Sequence, residues 1–211
     1  MIFACDVDGV IANFTEGFSR LLNKLDGKDR LPIVKDNQAE TWEWRDWYAL
    51  DEIPRDELDK LLEDAWENYI KKHGNSLWSG LKPLFPDAME MLNKAAREHS
   101  IIFMTRRDGP GAWQETSSWL RRYGIDNPMI YVIKPGEEKG DVCRKLGIKT
   151  IIDDSPRYAP ELLEKGINVV MPWWGYNEEY IDENYSKEPR LFPTVGLKQS
   201  LKKCRDIEEN N

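Results

Sequence analysis

Residues 2–10 read IFACDVDGV. An apolar run with no alternation ends in Asp6, a second acid follows at Asp8, and Gly9 lets the chain turn sharply away. The same form, a short run rich in Ile, Val or Phe, returns at 100–105 (SIIFMT), 129–133 (MIYVI), 149–153 (KTIID) and 167–171 (INVVM). Unbroken apolar runs of this length are expected of strands buried on both faces. Helical stretches separate them. Residues 87–98 place Met89, Leu92 and Ala96 on one side, 112–123 place Trp113, Ser117 and Leu120 together, and 139–146 and 157–165 are shorter, with Gly147 and Gly166 as helix ends. Alternating strand and helix predicts an α/β fold, a parallel sheet covered on both faces.

Residues 15–82 break the rhythm. Phe18, Leu21, Leu22 and Leu25 have helical spacing, as do Leu58, Leu61, Leu62, Ala65 and Tyr69 after Pro54. The reading is an inserted helical cap at 15–82, with an α/β core formed by 1–14 and 83–205. Pro83 to Pro86 (PLFP) return the chain to the core, and 206–211 are expected to fray.

Open parallel sheets bind ligands at the carboxyl ends of their strands. Four polar signals fall there: Asp6-Val7-Asp8-Gly9, Thr105-Arg106-Arg107, Lys139, and Asp153-Asp154. Each alone is weak, since a DxDG is often a turn and a DD a solvated strand end. In this order they describe phosphoryl chemistry. A carboxylate can attack phosphorus and form an aspartyl-phosphate, the task for Asp6. Asp8 can protonate the leaving oxygen and later activate water. Thr105 and Lys139 can bind the phosphate oxygens. Converging carboxylates need a cation, and a hard, oxygen-ligated ion such as Mg²⁺ suits Asp6, Asp154 and a backbone carbonyl.

Composition narrows the field. With 40% hydrophobic and 32% charged residues over 211, the chain reads as an ordinary globular protein. No apolar run approaches membrane-spanning length and the start lacks a basic leader, so the expectation is a cytoplasmic protein without a membrane partner. The three cysteines, Cys5, Cys143 and Cys204, form no CxxC pair, and His73 and His99 have no ligand-like spacing, which argues against disulfide frameworks, zinc sites and histidine-based hydrolysis. A net charge of −8 argues against long nucleic acid as a partner but not against a small phosphate ester. Homo-oligomer formation is left open.

The stretches DVDGVIANF (6–14), LKPLFPDAMEML (81–92), IIFMTRRD (101–108), WLRRYGI (119–125), KGDVCRKLGIKTIIDDSP (139–156) and the approach to Tyr176-Asn177 resemble the haloacid dehalogenase superfamily, and within it the cytosolic-type 5'(3')-deoxyribonucleotidases. The resemblance spans nearly the whole chain outside the cap. It implies a Rossmann-like core, a helical cap and a Mg²⁺-dependent phosphomonoesterase. It also implies Asp6 as nucleophile, Asp8 as acid/base and as metal ligand through its carbonyl, Thr105 and Lys139 on phosphate, and Asp154 on metal with Asp153 beside it. One departure is Arg106, where these relatives often have Ser after the threonine. Lys134 rivals Lys139, which is preferred because it opens the helix leading to Asp153.

A nucleoside monophosphate is the expected substrate. In TWEWRDWY (41–48), Trp42, Trp44 and Trp47 can stack on a base or pack the cap's own core, and Trp66 belongs to the same cover. Phe14, directly after the nucleophile loop, can face substrate. Arg106 and Arg107 can grip a phosphate or pair with Asp108 and Glu115. Competing readings are another small phosphate ester, a nucleic-acid 3'-phosphate end, or a non-catalytic binding protein on the same fold.

Overall fold

The computed structural model describes residues 2–41, 53–73 and 77–209. Strands β1 (Ile2–Asp6), β2 (Ser100–Thr105), β3 (Met129–Val132), β4 (Thr150–Ile152), β5 (Asn168–Pro172) and β6 (Leu191–Thr194) form one sheet in the order β3-β2-β1-β4-β5-β6, every pair parallel. The order reverses direction between β1 and β4, which leaves a crevice above their carboxyl ends. Register fixes what meets there. Asp6 lies opposite Met104, one residue before Thr105, and Cys5 lies opposite Ile152, one before Asp153.

Helices cover both faces. One apolar cluster joins Phe3, Cys5 and Phe103 to α1 (Phe14–Asp26), α5 (Ala88–Glu98), α6 (Ala112–Arg122) and α10 (Gly196–Glu209). The other joins Ala4, Met104 and Ile151 to α7 (Lys139–Lys145), α8 (Ala159–Glu164) and α9 (Glu178–Asn184). Alternate residues of β1 thus feed opposite clusters, as a pleated strand requires.

Among the described residues between β1 and β2, the stretches of helical apolar spacing at 15–25 and 55–72 lie in helices. The inserted segment holds α1, a 3-10 turn at Asp36–Gln38, α2 (Arg55–Glu63), a π-helical stretch at Asp64–Ile70, α3 (Lys71–His73) and α4 (Leu77–Gly80). The two chain passages are pinned side by side: Asn13 N donates to Lys82 O at 2.9 Å and Leu84 N to Ile11 O at 2.8 Å. Trp119 Nε1, fully buried on α6, donates to Leu81 O at 2.6 Å and ties the returning strand of chain to the core.

The end of the chain differs from the sequence reading. Strand β6 escapes it because Pro193 interrupts a four-residue run, yet a proline is tolerated on an edge strand. Residues 206–209, expected to fray, are the last turn of α10. The helix buries Leu197, Ser200, Cys204 and Ile207, a stripe half made of small or polar residues and therefore faint in sequence. Ile207 is 8% exposed and packs in the main apolar cluster. Ile207→Ala should therefore lower the unfolding free energy by about 2 kcal/mol or more, measured by urea denaturation. A frayed end would show no change.

Candidate active site

Asp6 ends β1, and its carboxylate is fixed from two sides. Val7 N donates to Oδ1 at 2.8 Å, and Lys139 Nζ lies 3.0 Å from Oδ2. Lys139 opens α7 yet is almost wholly buried, because its ammonium also meets Asp153 Oδ2 at 2.6 Å. Burial works against its charge, but Asp153 and Asp6 outweigh that and hold its pKa above the ordinary lysine value. Lys134, the rival, is exposed.

Asp153 is fully buried and both oxygens are engaged, since Ser155 N donates to Oδ1 at 3.0 Å. Asp154 turns the other way. Its Oδ2 accepts a short bond from the Tyr176 hydroxyl, and its backbone oxygen accepts from Asn177 Nδ2 at 2.9 Å. Gly9 approaches so closely that a Cβ there would collide with the Asp154 carboxylate, and its φ of 75° favours glycine anyway. Asp6, Asp153 and Asp154 each offer an oxygen, all within 4.8 Å of one another. Burial, first, and then the neighbouring acids push the Asp154 carboxyl well above its usual range. Burial likewise pushes Asp6 up to about 7, with Lys139 opposing and Asp153 and Asp8 adding to it. Crowded carboxylates at such cost are relieved by a cation. Hard oxygen donors with no histidine or thiolate in the cluster fit magnesium.

Thr105, at the end of β2, is buried, and its hydroxyl lies 3.3 Å from Asp8 Oδ2. Asp8 is paired with Arg107, whose Nε and Nη2 reach its two oxygens at 2.9 and 2.8 Å. Of the two roles open to Arg107, gripping a phosphate or pairing with Asp108 and Glu115, its direct contacts show neither: its guanidinium pairs with Asp8 and bonds Thr116, and its charge acts on Glu115 without a direct ion pair. Arg106 donates to Glu137 O at 2.8 Å and lies over the Tyr158 ring at 4.6 Å.

Asp6, Asp8, Thr105, Arg106, Arg107, Lys139 and Asp154 line one cavity of about 810 Å³, within the range of small-molecule sites. Its wall includes Phe14, Trp66 and Trp78. Phe14 stacks on Trp78 at 5.9 Å and meets Trp66 at 6.2 Å. Trp66 sits on the π-helical stretch, a form that often marks functional positions. Trp42, Trp44 and Trp47 lie outside the described residues. The sequence reading missed Trp78, Tyr158, Asp36 and the role of Tyr176. Nothing in their spacing marks them, because the fold alone brings them to the β1/β4 crevice.

No protein-family model matches the chain, and no curated protein matches it by sequence. Solved structures do resemble it. A haloacid dehalogenase-like hydrolase from Streptococcus pneumoniae is 15% identical, with a TM-score of 0.62 over 98% of this chain and 97% of that one. A predicted phosphatase from Clostridium acetobutylicum is 14% identical, with a TM-score of 0.59 over 97% and 98%. A haloacid dehalogenase-type hydrolase from Bacillus subtilis, bound to magnesium, is 15% identical, with a TM-score of 0.54 over 94% and 95%. The fold is thus the Rossmann-like α/β fold of the haloacid dehalogenase-like hydrolases. Among the described residues no helix is long and apolar enough to cross a membrane.

Asp36 lines the same cavity and gives a test of its electrostatics. It accepts from Thr15 N at 3.1 Å and from Thr15 Oγ1 at 2.7 Å, but burial dominates and raises its pKa from 3.8 to about 7. The native state then holds a proton that the unfolded chain has released, so this group's share of stability is present below pH 3.8 and is lost as pH rises through 7. Asp36→Asn has no such proton to lose. The fall in Tm of the metal-free protein between about pH 5 and about pH 8 should be smaller in the variant than in the wild type. Parallel curves would remove Asp36 from the account.

Proposed function

We propose that the chain is a phosphatase of the haloacid dehalogenase superfamily that removes phosphate from (deoxy)nucleoside monophosphates, a 5'(3')-deoxyribonucleotidase-type enzyme. The observation that carries this reading is the meeting of Asp6 and Lys139 with Asp154 and Thr105 in a cavity that also has an aromatic wall. Phosphate chemistry needs the first set of groups, and a flat apolar base fits the second.

Asp6 attacks phosphorus through the oxygen that faces the cavity, and the ester oxygen departs. Asp8 gives that oxygen a proton and then takes one from the water that opens the aspartyl-phosphate. Lys139 offsets charge on the transferring group and holds Asp6 in line, and Thr105 donates to a phosphate oxygen. Asp153 fixes Lys139 through one oxygen, and its carboxylate stands in the same acidic cluster as Asp6 and Asp154. Asp6, Asp154 and the Asp8 carbonyl would hold Mg²⁺, which neutralises charge on the phosphate and its attacking carboxylate. Phe14, Trp66 and Trp78 form the surface against which a base would stack. Arg106, over the Tyr158 ring, lines the same cavity and would meet substrate atoms beyond the reacting phosphate.

Asp6→Asn should abolish phosphate release while leaving the fold intact, because an amide cannot form the aspartyl-phosphate. Excess chelator should stop the wild type, and added Mg²⁺ should restore it. Base stacking is worth about 1–3 kcal/mol, or roughly ten- to a hundredfold in selectivity. Nucleoside monophosphates should therefore exceed sugar phosphates in kcat/KM, and Trp66→Ala should narrow that gap. A preference for sugar phosphates in the wild type would point to another small phosphate ester and defeat the nucleotidase reading. An Asp6→Asn variant near wild-type turnover would defeat the phosphatase mechanism.

A further inference from the structure

The way Asp8 is held has more detail than a stray surface pair. Arg107 Nε and Nη2 each reach one of its oxygens, at 2.9 and 2.8 Å. The third guanidinium nitrogen, Nη1, donates to Thr116 Oγ1 at 3.0 Å, and Thr116 donates onward to Ala112 O at 2.7 Å within α6. Two indoles flank the guanidinium: Trp78 of the inserted segment at 5.1 Å and Trp119 of α6 at 5.8 Å. The Arg107 side chain is wholly buried, whereas the Asp8 side chain keeps 22% of its surface open. A forked guanidinium–carboxylate pair fixes direction as well as distance. Here the fork is anchored by Thr116 and flanked by two indoles, and the exposed part of the pair is the Asp8 carboxylate on the cavity side.

The geometry points to Arg107 as the positioning residue for Asp8, holding its carboxylate where it meets the water that attacks the aspartyl-phosphate. This rests on the proposed phosphatase reading, which gives Asp8 its proton-transfer task. In that step the water oxygen bonds to phosphorus, the bond from phosphorus to the Asp6 oxygen breaks, Asp6 leaves as a carboxylate, and the water's proton passes to Asp8. Small displacements of a proton-transfer group are costly in rate. The earlier step is less uniform. An alkoxide needs the Asp8 proton to leave, but a nitrophenolate leaves without it. Loss of Arg107 should therefore spare the first half of the reaction on 4-nitrophenyl phosphate and slow the second half on every substrate.

The test compares wild type, Arg107→Met, Arg107→Lys and Thr116→Val by stopped-flow release of nitrophenolate, together with intact mass of enzyme quenched during turnover. Arg107→Met should give a burst of about one nitrophenolate per enzyme, then a steady rate lower by roughly a hundredfold, with KM lowered in step so that kcat/KM is little changed. The quenched variant should carry one phosphoryl group, absent when Asp6→Asn is added. Arg107→Lys should recover part of the rate, and Thr116→Val should show a smaller loss of the same kind. A folded Arg107→Met with wild-type turnover, or with slow turnover but no burst and no phosphoryl adduct, overturns the inference. If that variant does not fold, unchanged kcat and no burst in both Arg107→Lys and Thr116→Val overturn it equally. A wild type inert towards all phosphomonoesters defeats the phosphatase reading itself, and this inference with it. An active wild type with silent variants defeats this inference alone.

Discussion

A single ammonium group holds the site together. Lys139 Nζ sits between Asp6 and Asp153 at 3.0 and 2.6 Å, in a place with almost no access to water. Removing it would leave buried carboxylates facing one another with nothing to offset them, which is among the costliest errors a core can contain. The pair is not there for stability, since apolar residues would fill the same volume at less cost. Its use is directional. It aligns one Asp6 oxygen while Val7 N fixes the other, and it keeps a positive charge where negative charge would gather.

The fold makes this arrangement almost unavoidable once the strand order is set. β1 and β4 are neighbours at the point where the sheet changes direction, so whatever follows Cys5 and Ile152 in sequence must meet in the crevice. That explains why so much was legible beforehand. Asp6, Asp8, Thr105, Asp153 and Asp154 sit at strand ends or within two residues of one, and strand ends are visible as the edge of an apolar run. Lys139 was harder, as it opens a helix with a rival five residues earlier. Trp78 could not be read at all, and Tyr176 was visible only as part of a resembling stretch, without its role. Neither lies at the end of a run, and each reaches the site through contacts made by distant chain: Trp78 Nε1 donates to Asp108 O at 2.9 Å, and Tyr176 N to Ala39 O at 3.1 Å. The pairing of Asp8 with Arg107 was hidden for a related reason. Side chains 99 apart in sequence meet because β1 and β2 are adjacent, and adjacency is a property of the sheet.

The segment between β1 and β2 supplies an aromatic wall to the cavity. Phe14, Phe18, Trp66 and Trp78 form a continuous aromatic set, with Phe14 and Phe18 stacked at 5.3 Å and Phe18 and Trp66 at 5.2 Å. Such a set packs the cover and lines the cavity with the same rings, so stability of the cover and shape of the cavity are set by the same residues. The β6 edge and α10 were missed for the opposite reason: their buried faces are built from small, polar or proline residues, and a hydrophobic pattern too thin to see can still be enough when a large sheet supplies the other half of the contact.

The short segment after β5 has a consequence for the order of events in the cell's making of this protein. Trp174 Nε1 donates to Gly9 O at 2.9 Å, Asn177 Nδ2 braces the Asp154 backbone, and Tyr176 binds the Asp154 carboxylate. Gly9, next to the first acids of the site, is made some 165 residues before the indole that braces it. A nascent chain that stops just short of Trp174 holds β1 to β5 and still exposes an unbraced acidic crevice. The site is therefore completed only after β1 to β5 have been made, though before β6 and α10, and a product truncated ahead of Trp174 carries Asp6 without the frame that braces Asp154 and Gly9.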